Sequence, residues 1–170
     1  QINSAASLNA TRTSELGSNV TTSGNQSYSG GISLSTNVNL TTTNNGSVTL
    51  SSGVDGAKNL AITTNGTGDT TISGAVGGST PLTGLTVTTD AFSAAAIAMA
   101  SNSAISITNA GTGSITGIVS GTGVTLTAAG SNTLTLSGVN TYTGLTTINS
   151  GATLALSTAG AIANSSGVAN

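Results

Sequence analysis

Hydrophobic and polar residues alternate along almost the whole chain, in short bursts separated by turn residues. Each burst places two apolar residues two positions apart with a polar or small residue between them, as in Ile32/Leu34, Val38/Leu40, Val48/Leu50, Leu60/Ile62, Leu85/Val87, Ile105/Ile107, Val124/Leu126, Leu134/Leu136 and Leu154/Leu156. A period of two with one apolar side predicts β-strands that bury one face. The intervening residues, mostly Thr and Ser, are expected to face solvent, where Thr suits a pleated surface. The pattern predicts an all-β chain.

One segment also fits a helix. Phe92, Ala95, Ala96 and Met99 recur at helical spacing within residues 91–99. We favour a buried strand with small side chains for this segment. The stretch is too short and too interrupted by Ser93 to span a bilayer, so no membrane insertion is expected.

The spacing of the bursts predicts the architecture. They begin roughly every ten residues, which is typical of a sandwich, a barrel or a β-solenoid. Each burst has too few inward apolar residues for a thick sandwich core, and the bursts resemble one another, as in NLAITT from Asn59 and GLTVTTD from Gly84. If two bursts make one coil, coils of about 20 residues give a single β-solenoid domain, residues 1–170, of roughly eight coils.

The amino-acid composition favours a folded, stacked solenoid. Thr, Ser, Asn and Gly fill 100 of the 170 positions, and charged residues make up only 4% of the chain. Stacked like charges repel one another, whereas stacked hydroxyls and amides can hydrogen-bond, so charge depletion favours a stacked solenoid. The net charge is −2 and 36% of residues are apolar, which argues against disorder.

The missing residue types exclude several functions. The chain has no His and no Cys, which removes imidazole bases, thiolate nucleophiles and His/Cys metal sites. Its two cations, Arg12 and Lys58, cannot neutralise a nucleic-acid backbone. We therefore expect no catalytic, cofactor-binding or metal-binding residues, no cofactor and no nucleic-acid partner.

Residues Asn132 to Ser157, NTLTLSGVNTYTGLTTINSGATLALS, resemble the autotransporter-associated β-strand repeat. That repeat occurs in passenger domains of large Gram-negative autotransporters, with the hallmark LTLSG-x-NTYTG followed by TT-x-I-x-x-G-x-L-x-L. The matching residues here are Leu134, Leu136, Gly138, Asn140, Tyr142, Gly144, Thr147, Ile148, Gly151, Leu154 and Leu156. Leu145 departs from the family, which usually has a second Gly at that turn.

Two upstream segments are similar to long adhesins of the filamentous-haemagglutinin type. They are GNQSYSGGISLSTNVNL from Gly24 and VDGAKNLAITTNGTGDTTISGAVGG from Val54. Both resemblances imply a right-handed parallel β-helix that is exported and displayed on the bacterial cell surface. They imply a non-enzymatic structural or adhesive protein whose partners are neighbouring repeats, copies of itself, or cell-surface glycans and proteins.

Most motifs have a simpler structural interpretation. Seven Asn-x-Ser/Thr sequences occur, as many as this composition gives by chance, at Asn9, Asn19, Asn25, Asn39, Asn45, Asn65 and Asn164. Gly66, Gly68 and Asp69 faintly resemble a calcium-binding repeat, but calcium needs several oxygen ligands, so we predict a plain turn. A turn is also predicted for the set Gly111, Gly113 and Gly117.

Two pairs of residues suggest specific contacts. Asp55 and Lys58 are expected to form an exposed ion pair across a loop, without chemical consequence. Tyr28 and Tyr142 each precede a Ser/Thr-Gly turn, which suggests equivalent stacking positions in different repeats. We favour packing over ligand binding for both tyrosines.

Two further features of the sequence are compatible with other functions. Asp55, Asp69 and Asp90 are spaced near the coil length, so two of them could stack as paired carboxylates, but no basic partner accompanies them. The Thr-x-Thr triplets Thr86 to Thr88, Thr125 to Thr127 and Thr133 to Thr135 resemble the ladders of ice-binding β-helices, although they are few and irregular. Ice binding and carbohydrate binding stay as alternatives.

The ends of the solenoid raise the question of assembly. Residues 1–23 are the candidate terminal coil or cap, and Thr11 to Leu16 hold the only local charge pair, Arg12 and Glu15. The C-terminal stretch Ala159 to Asn170 also lacks a charged or helical cap. Natural solenoids carry polar caps. We therefore expect further coils of a longer polypeptide or, alternatively, self-stacking into an extracellular filament or biofilm fibre.

Overall fold

The computed structural model describes residues 2–170, which form twenty-one short β-strands, β1 to β21 in chain order, and no helix. All strand pairs are parallel, and each strand inside a sheet pairs with the strands one coil before and one coil after it. The strands are short because the apolar alternation stops after two or three residues, where Gly, Asn or Ser turns the chain. The prediction of an all-β solenoid is confirmed.

The strands of residues 2–170 lie in three sheets that form the sides of the solenoid. The first sheet contains β1 (Ile2–Ala5), β4 (Val20–Thr22), β7 (Val38–Thr42), β10 (Asn59–Thr63), β12 (Leu82–Thr89), β14 (Ile97–Asn109), β17 (Thr125–Gly130), β19 (Thr146–Ile148) and β21 (Val168–Ala169). The second sheet contains β2 (Leu8–Ala10), β5 (Gln26–Tyr28), β8 (Val48–Leu50), β11 (Thr70–Ile72), β13 (Phe92–Ala94), β15 (Gly113–Ile115), β18 (Thr133–Leu136) and β20 (Thr153–Leu156). The third contains β3 (Ser14–Leu16), β6 (Ile32–Leu34) and β9 (Val54–Asp55).

The register shows how far the chain travels in one coil. Ile2 pairs with Val20, a step of 18 residues, and Leu60 pairs with Leu85, a step of 25 residues. The nine successive strands of the first sheet make about eight turns within the described residues. The predicted number of coils is confirmed.

The alternation pattern revealed the third side of the coil only in part, at Ile32/Leu34 of β6. Beyond β9 this side continues as single bridges, from Val54 to Val76 and from Val76 to Ile97, and then as a pairing of β14 with β16 (Val119–Ser120). Coils are therefore built from three strand segments rather than two bursts. The third segment often has one inward apolar residue, which is too few to produce a visible period of two.

The core is a single stack of aliphatic side chains. Its fully buried members come from every coil between β6 and β18 and include Val38, Leu40, Val48, Leu50, Leu60, Ile62, Ile72, Leu85, Val87, Ile105, Ile107, Ile115, Leu126, Leu134 and Leu136. Like residues stack on like residues, because parallel in-register pairing places each rung above its counterpart.

The segment with helical spacing is extended, as we favoured. Phe92 and Ala94 face the core from β13, and Ile97 and Met99 face it from β14. β14 turns the corner between the third and first sheets at Asn102, whose φ is 60°. A helix is excluded here because each residue is needed for pairing with the coils on either side.

The two ends of the described solenoid are less well covered than its middle. Leu8 and Leu16 in the first coil are half-buried, and Ile2 is 39% exposed. At the other end, Leu156 is 45% exposed and Val168 is 56% exposed. Gln1, which belongs to the predicted terminal coil 1–23, lies outside the described residues. Of the charge pair in Thr11 to Leu16, Arg12 precedes β3 and Glu15 lies within it, and β3 is an ordinary rung paired with β6.

Candidate functional site

A column of buried polar residues runs along the corner between the first and second sheets. We call it the inner corner column; its members, all buried, are Thr22, Thr42, Thr64, Thr89 and Asn109. They occupy successive rungs, since Thr22 pairs with Thr42 and Thr89 pairs with Asn109. Each member lies two residues after a buried apolar residue, as Thr42 follows Leu40, so the inward phase of the alternation ends at this corner on a buried polar side chain.

Each member of the inner corner column donates a hydrogen bond to a carbonyl of the turn that follows it. Thr22 Oγ1 donates to Gly24 O at 2.5 Å, and Thr64 Oγ1 donates to Gly68 O at 2.6 Å. Asn109 Nδ2 donates to Gly111 O at 2.5 Å and to Thr133 O at 3.2 Å. Buried carbonyls need such donors, so the column stabilises the turns.

The residue that precedes each member of this column faces the opposite way. We call these residues the outer threonine file; its members are Thr21, Thr41, Thr63, Thr88 and Thr108, paired in register across five strands. They are exposed or half-buried, and no charged residue interrupts them. The outer threonine file makes this face of the first sheet flat, hydroxylated and uncharged.

The predicted Thr-x-Thr triplets do not lie on one face. Thr86 and Thr88 are exposed on the first sheet, and Thr127 pairs with Ser106 on the same sheet. Thr135, by contrast, pairs with Ser114 on the second sheet. A single array of all three triplets, as the ice-binding alternative requires, is therefore not formed.

The second sheet carries its own hydroxyl file on its outer face. Its members are Ser27, Thr49, Thr71, Ser93, Ser114 and Thr135. A shallow open depression of about 410 Å³ lies over this file, next to the side chains of Asp69 and Thr112. Another depression, of about 450 Å³, lies on the first sheet above Gly84 and Ala104 and is bordered by Asn37 and Asn59.

Several side chains at the turns hydrogen-bond to the backbone of the next coil. Asn19 Oδ1 accepts from Asn39 N at 2.9 Å, and Asn25 Oδ1 accepts from Ser47 N at 2.9 Å. Asn45 Oδ1 accepts from Thr67 N at 3.2 Å. Three of the Asn-x-Ser/Thr positions thus have a structural role, which agrees with the interpretation of these motifs as ordinary sequence.

Two of the acidic residues, Asp55 and Asp69, also accept hydrogen bonds from backbone amides. Asp55 Oδ1 accepts from Ser79 N at 2.7 Å and from Thr80 N at 2.9 Å, and residues 2–170 contain no Asp55–Lys58 ion pair. The predicted pair is wrong because two backbone amides of the loop that follows Gly77 reach the carboxylate. Asp69 Oδ1 accepts from Ala91 N at 3.0 Å.

The glycine motifs lie at or beside turns. Gly66 and Gly68 form the turn before Asp69, and the part of the chain that is described contains no group of three or more acidic, His or Cys side chains suited to a metal ion. Gly111 and Gly117 flank β15, as turn residues should. Gly113 instead lies within β15, where Asn109 occupies the space beside it.

Both tyrosines are buried packing residues at different positions in the coil. Tyr28 lies in β5, stacks on Leu50 and donates from its hydroxyl to Gln26 Oε1 at 3.0 Å. Tyr142 precedes β19 and shares a hydrogen bond of 2.7 Å with Thr146. Burial raises the pKa of both phenols. The suggested equivalence of the two positions is wrong.

Asn140 connects three successive coils near the C-terminal end. Its Oδ1 accepts from Val119 N at 2.8 Å, while its Nδ2 donates to Gly138 O and to Ala161 O, both at 2.9 Å. The side chain is buried, so all of its hydrogen-bonding groups are satisfied by backbone. Asn140 and Tyr142 belong to the NTYTG run, whose residues therefore hold coils together.

That run lies within a segment that matches a known family. Residues 126–156 match the family model of the passenger-associated transport repeat. The match agrees with the resemblance of Asn132 to Ser157 to the repeat of autotransporter passengers, and the solenoid fold fits such a passenger. Neither a curated protein nor a solved structure gave a significant match. Within residues 2–170 there is no helix that could cross a membrane.

Proposed function

We propose that this chain is a surface-displayed segment of an autotransporter-type passenger, with a structural and adhesive role and no catalytic activity. The observation that carries the proposal is the passenger-associated transport repeat at residues 126–156. It is not a separate unit, because its strands pair without interruption with those before and after it. The same ladder continues back to β1.

The outer faces support a role in contact rather than in chemistry. The six charged residues are absent from the outer threonine file, and both large faces present hydroxyls and amides at regular spacing. Such groups can hydrogen-bond to glycans or to protein backbones. The depression beside Asp69, Thr71 and Ser114 is the candidate contact region, because it gathers hydroxyls around a carboxylate.

Display can be tested by placing the full chain between a secretion signal and the membrane domain of an autotransporter in a Gram-negative host. We expect external antibody to label intact cells and added protease to leave the solenoid largely uncut. A chain that stays in the periplasm would contradict surface display. As a control for folding, Asn140→Ala should lower protease resistance, since it removes the hydrogen bonds that join three coils.

Adhesion needs a separate measurement on the displayed cells. We expect them to aggregate or to bind immobilised glycans, and Thr71→Ala with Ser114→Ala to weaken this binding. The matched pair Thr41→Ala with Thr63→Ala removes two hydroxyls from the other sheet and should leave binding unchanged. If cells display the folded protein but neither aggregate nor bind glycans, the adhesive role is rejected and a purely structural role remains.

Self-stacking into a filament is the second candidate function. The observation that favours it is the exposure of Leu156 and Val168 at one end and of Ile2 at the other. A strand of a second copy could pair with these end rungs, which present unpaired backbone groups. Sizing of the isolated chain at increasing concentration tests it: long assemblies support a filament, and a monomer at all concentrations excludes it.

A further inference from the structure

The chain contains two Asn-Gly dipeptides, and they lie in turns of neighbouring coils. One is Asn45-Gly46, after β7, and the other is Asn65-Gly66, after β10. In an Asn-Gly sequence the glycine nitrogen can attack the side-chain carboxamide of Asn, because no Cβ hinders the approach. Whether it does so in a folded protein depends on how freely the two residues can move.

The turn at Asn65 is open to this reaction. Asn65, Gly66 and Thr67 are all exposed, and within the described chain no group hydrogen-bonds the Asn65 carboxamide. Gly66 has a φ of 62°, in the left-handed region, and its nitrogen donates no hydrogen bond to the described residues. One backbone bond within the turn, from Gly68 N to Asn65 O at 3.1 Å, closes it, and the turn is tied to the preceding coil by the bond from Thr67 N to Asn45 Oδ1 at 3.2 Å.

The turn at Asn45 hinders the same reaction. Asn45 Oδ1 is held by Thr67 N, and Gly46 is buried and accepts a hydrogen bond from Thr42 of the inner corner column. Gly46 also lies against the backbone of Gly24, since a Cβ at position 46 would meet the Gly24 Cα at 2.9 Å. Moving the Gly46 nitrogen onto the side chain would therefore break contacts with the coils on both sides.

We propose that Asn65 is a site of spontaneous deamidation in the folded protein, and that Asn45 is protected by its coil contacts. The Gly66 nitrogen forms a bond to Asn65 Cγ, and ammonia leaves with the side-chain nitrogen. Water then opens the resulting succinimide ring at either carbonyl, which gives aspartate or isoaspartate. The reaction needs water alone and no redox partner.

The product changes the local surface without disturbing the ladder. Isoaspartate inserts a methylene group into the main chain, which an exposed turn tolerates and a turn packed between two coils does not. The new carboxylate lies four residues before Asp69 and changes the net charge of the chain from −2 to −3. The modification therefore adds a negative charge to the exposed turn between β10 of the first sheet and β11 of the second.

The test is to incubate the purified full chain at mildly alkaline pH and to separate the products by ion exchange. Peptide mass spectrometry with fragmentation that distinguishes isoaspartate then locates the modified residue. We expect Asn65 to react at least about tenfold faster than Asn45, because a local opening free energy of only about 1.4 kcal/mol at the Asn45 turn produces that factor. Similar rates at both sites, or faster reaction at Asn45, would overturn the proposal.

Two controls separate the effect of the fold on the reaction rate from the intrinsic reactivity of the Asn-Gly dipeptide. In concentrated denaturant the two rates should converge, since both sites have glycine as the next residue; a persistent preference for Asn65 would show that the fold is not the cause. Asn65→Gln should remove the main acidic product while the circular dichroism of the solenoid stays unchanged. If that acidic product persists in the variant, Asn65 is not the site.

Discussion

The inner corner column and the outer threonine file are built from adjacent residues, yet one is buried and hydrogen-bonded and the other faces outward. Thr41 and Thr42, and likewise Thr63 and Thr64, are chemically identical neighbours. Thr42 and Thr64 are buried and donate hydrogen bonds to turn carbonyls, whereas Thr41 and Thr63 lie on the outer face, in a file that contains no charged residue. The pleat decides which of the two faces the core.

This difference shows that hydroxyl groups serve two separate purposes in the solenoid. Inside, they satisfy buried backbone carbonyls where the chain turns from the first sheet to the second. Outside, they keep a stacked surface soluble without placing like charges one above another. Four predictions test the distinction, beginning with the largest expected effect.

The largest effect is expected for Asn109→Asp. Asn109 Nδ2 donates to Gly111 O and Thr133 O, whereas a carboxylate would bring negative charge against both carbonyls in a buried position. The unfolding free energy at neutral pH should fall by on the order of 3 kcal/mol or more. Denaturant titration measures it.

The control for this change is Thr108→Asp, one position earlier on the outer face, which should alter stability by less than about 0.5 kcal/mol. Burial raises the pKa of the introduced carboxyl at position 109 above its unfolded value. The deficit should therefore be smallest below about pH 4, where the group is protonated in both states, and should grow as pH rises. A deficit that is equal at both positions would contradict the comparison.

The two tyrosines should make stability fall at high pH. Burial raises the pKa of Tyr28 and of Tyr142, so the unfolded chain releases these protons at lower pH than the folded chain does. Above about pH 10 the unfolding free energy should fall by about 1.4 kcal/mol per pH unit for each tyrosine. Denaturant titrations at several pH values measure the slope.

Substitution gives the control for that slope. Tyr28→Phe with Tyr142→Phe should remove this pH dependence, whatever the variant does to stability at neutral pH. Tyrosinate absorbance that appears in the native protein near pH 10 would show that the inner hydroxyls are accessible to solvent and would contradict the assignment.

An intermediate effect is expected for Thr42→Val. The side chain keeps its shape but loses the hydroxyl that donates to Gly46 O, which leaves a buried carbonyl without this donor. The cost should be about 1–3 kcal/mol. Thr41→Val makes the same change on the outer face and should be within about 0.5 kcal/mol of the parent chain. Equal effects in thermal or chemical unfolding would refute the division between column and file.

The smallest effect concerns charge on the outer threonine file. Thr63 and Thr88 pair directly across β10 and β12. Thr63→Lys with Thr88→Lys should be less stable than Thr63→Lys with Thr88→Glu by up to about 1 kcal/mol, because like charges face each other. Added salt should reduce the difference. If the two variants are equally stable at low salt, avoidance of like charges does not explain the charge depletion of this face.

The candidate surfaces were predictable in part. The resemblance of Asn132 to Ser157 to the autotransporter repeat already indicated that Asn140 and Tyr142 are characteristic residues of the repeat, because both match its sequence hallmark. That Asn140 joins three coils could not be read, since its partners Val119 and Ala161 lie about one coil away on either side. For Asp55, the nearby Lys58 suggested a charge partner, and the distant backbone of Ser79 and Thr80 was the actual one.

The sequence by itself determined most of the strands, the approximate coil length and the low charge of this protein, because alternation and composition are local properties of the chain. Only the tertiary structure decided that each coil has three sides, which residues of neighbouring coils stack on one another, and which of the two Asn-Gly turns is held. These features depend on contacts between residues about 20 positions apart, such as Thr22 with Thr42 and Asn45 with Thr67. A local pattern contains no information about a neighbouring coil until the register is fixed.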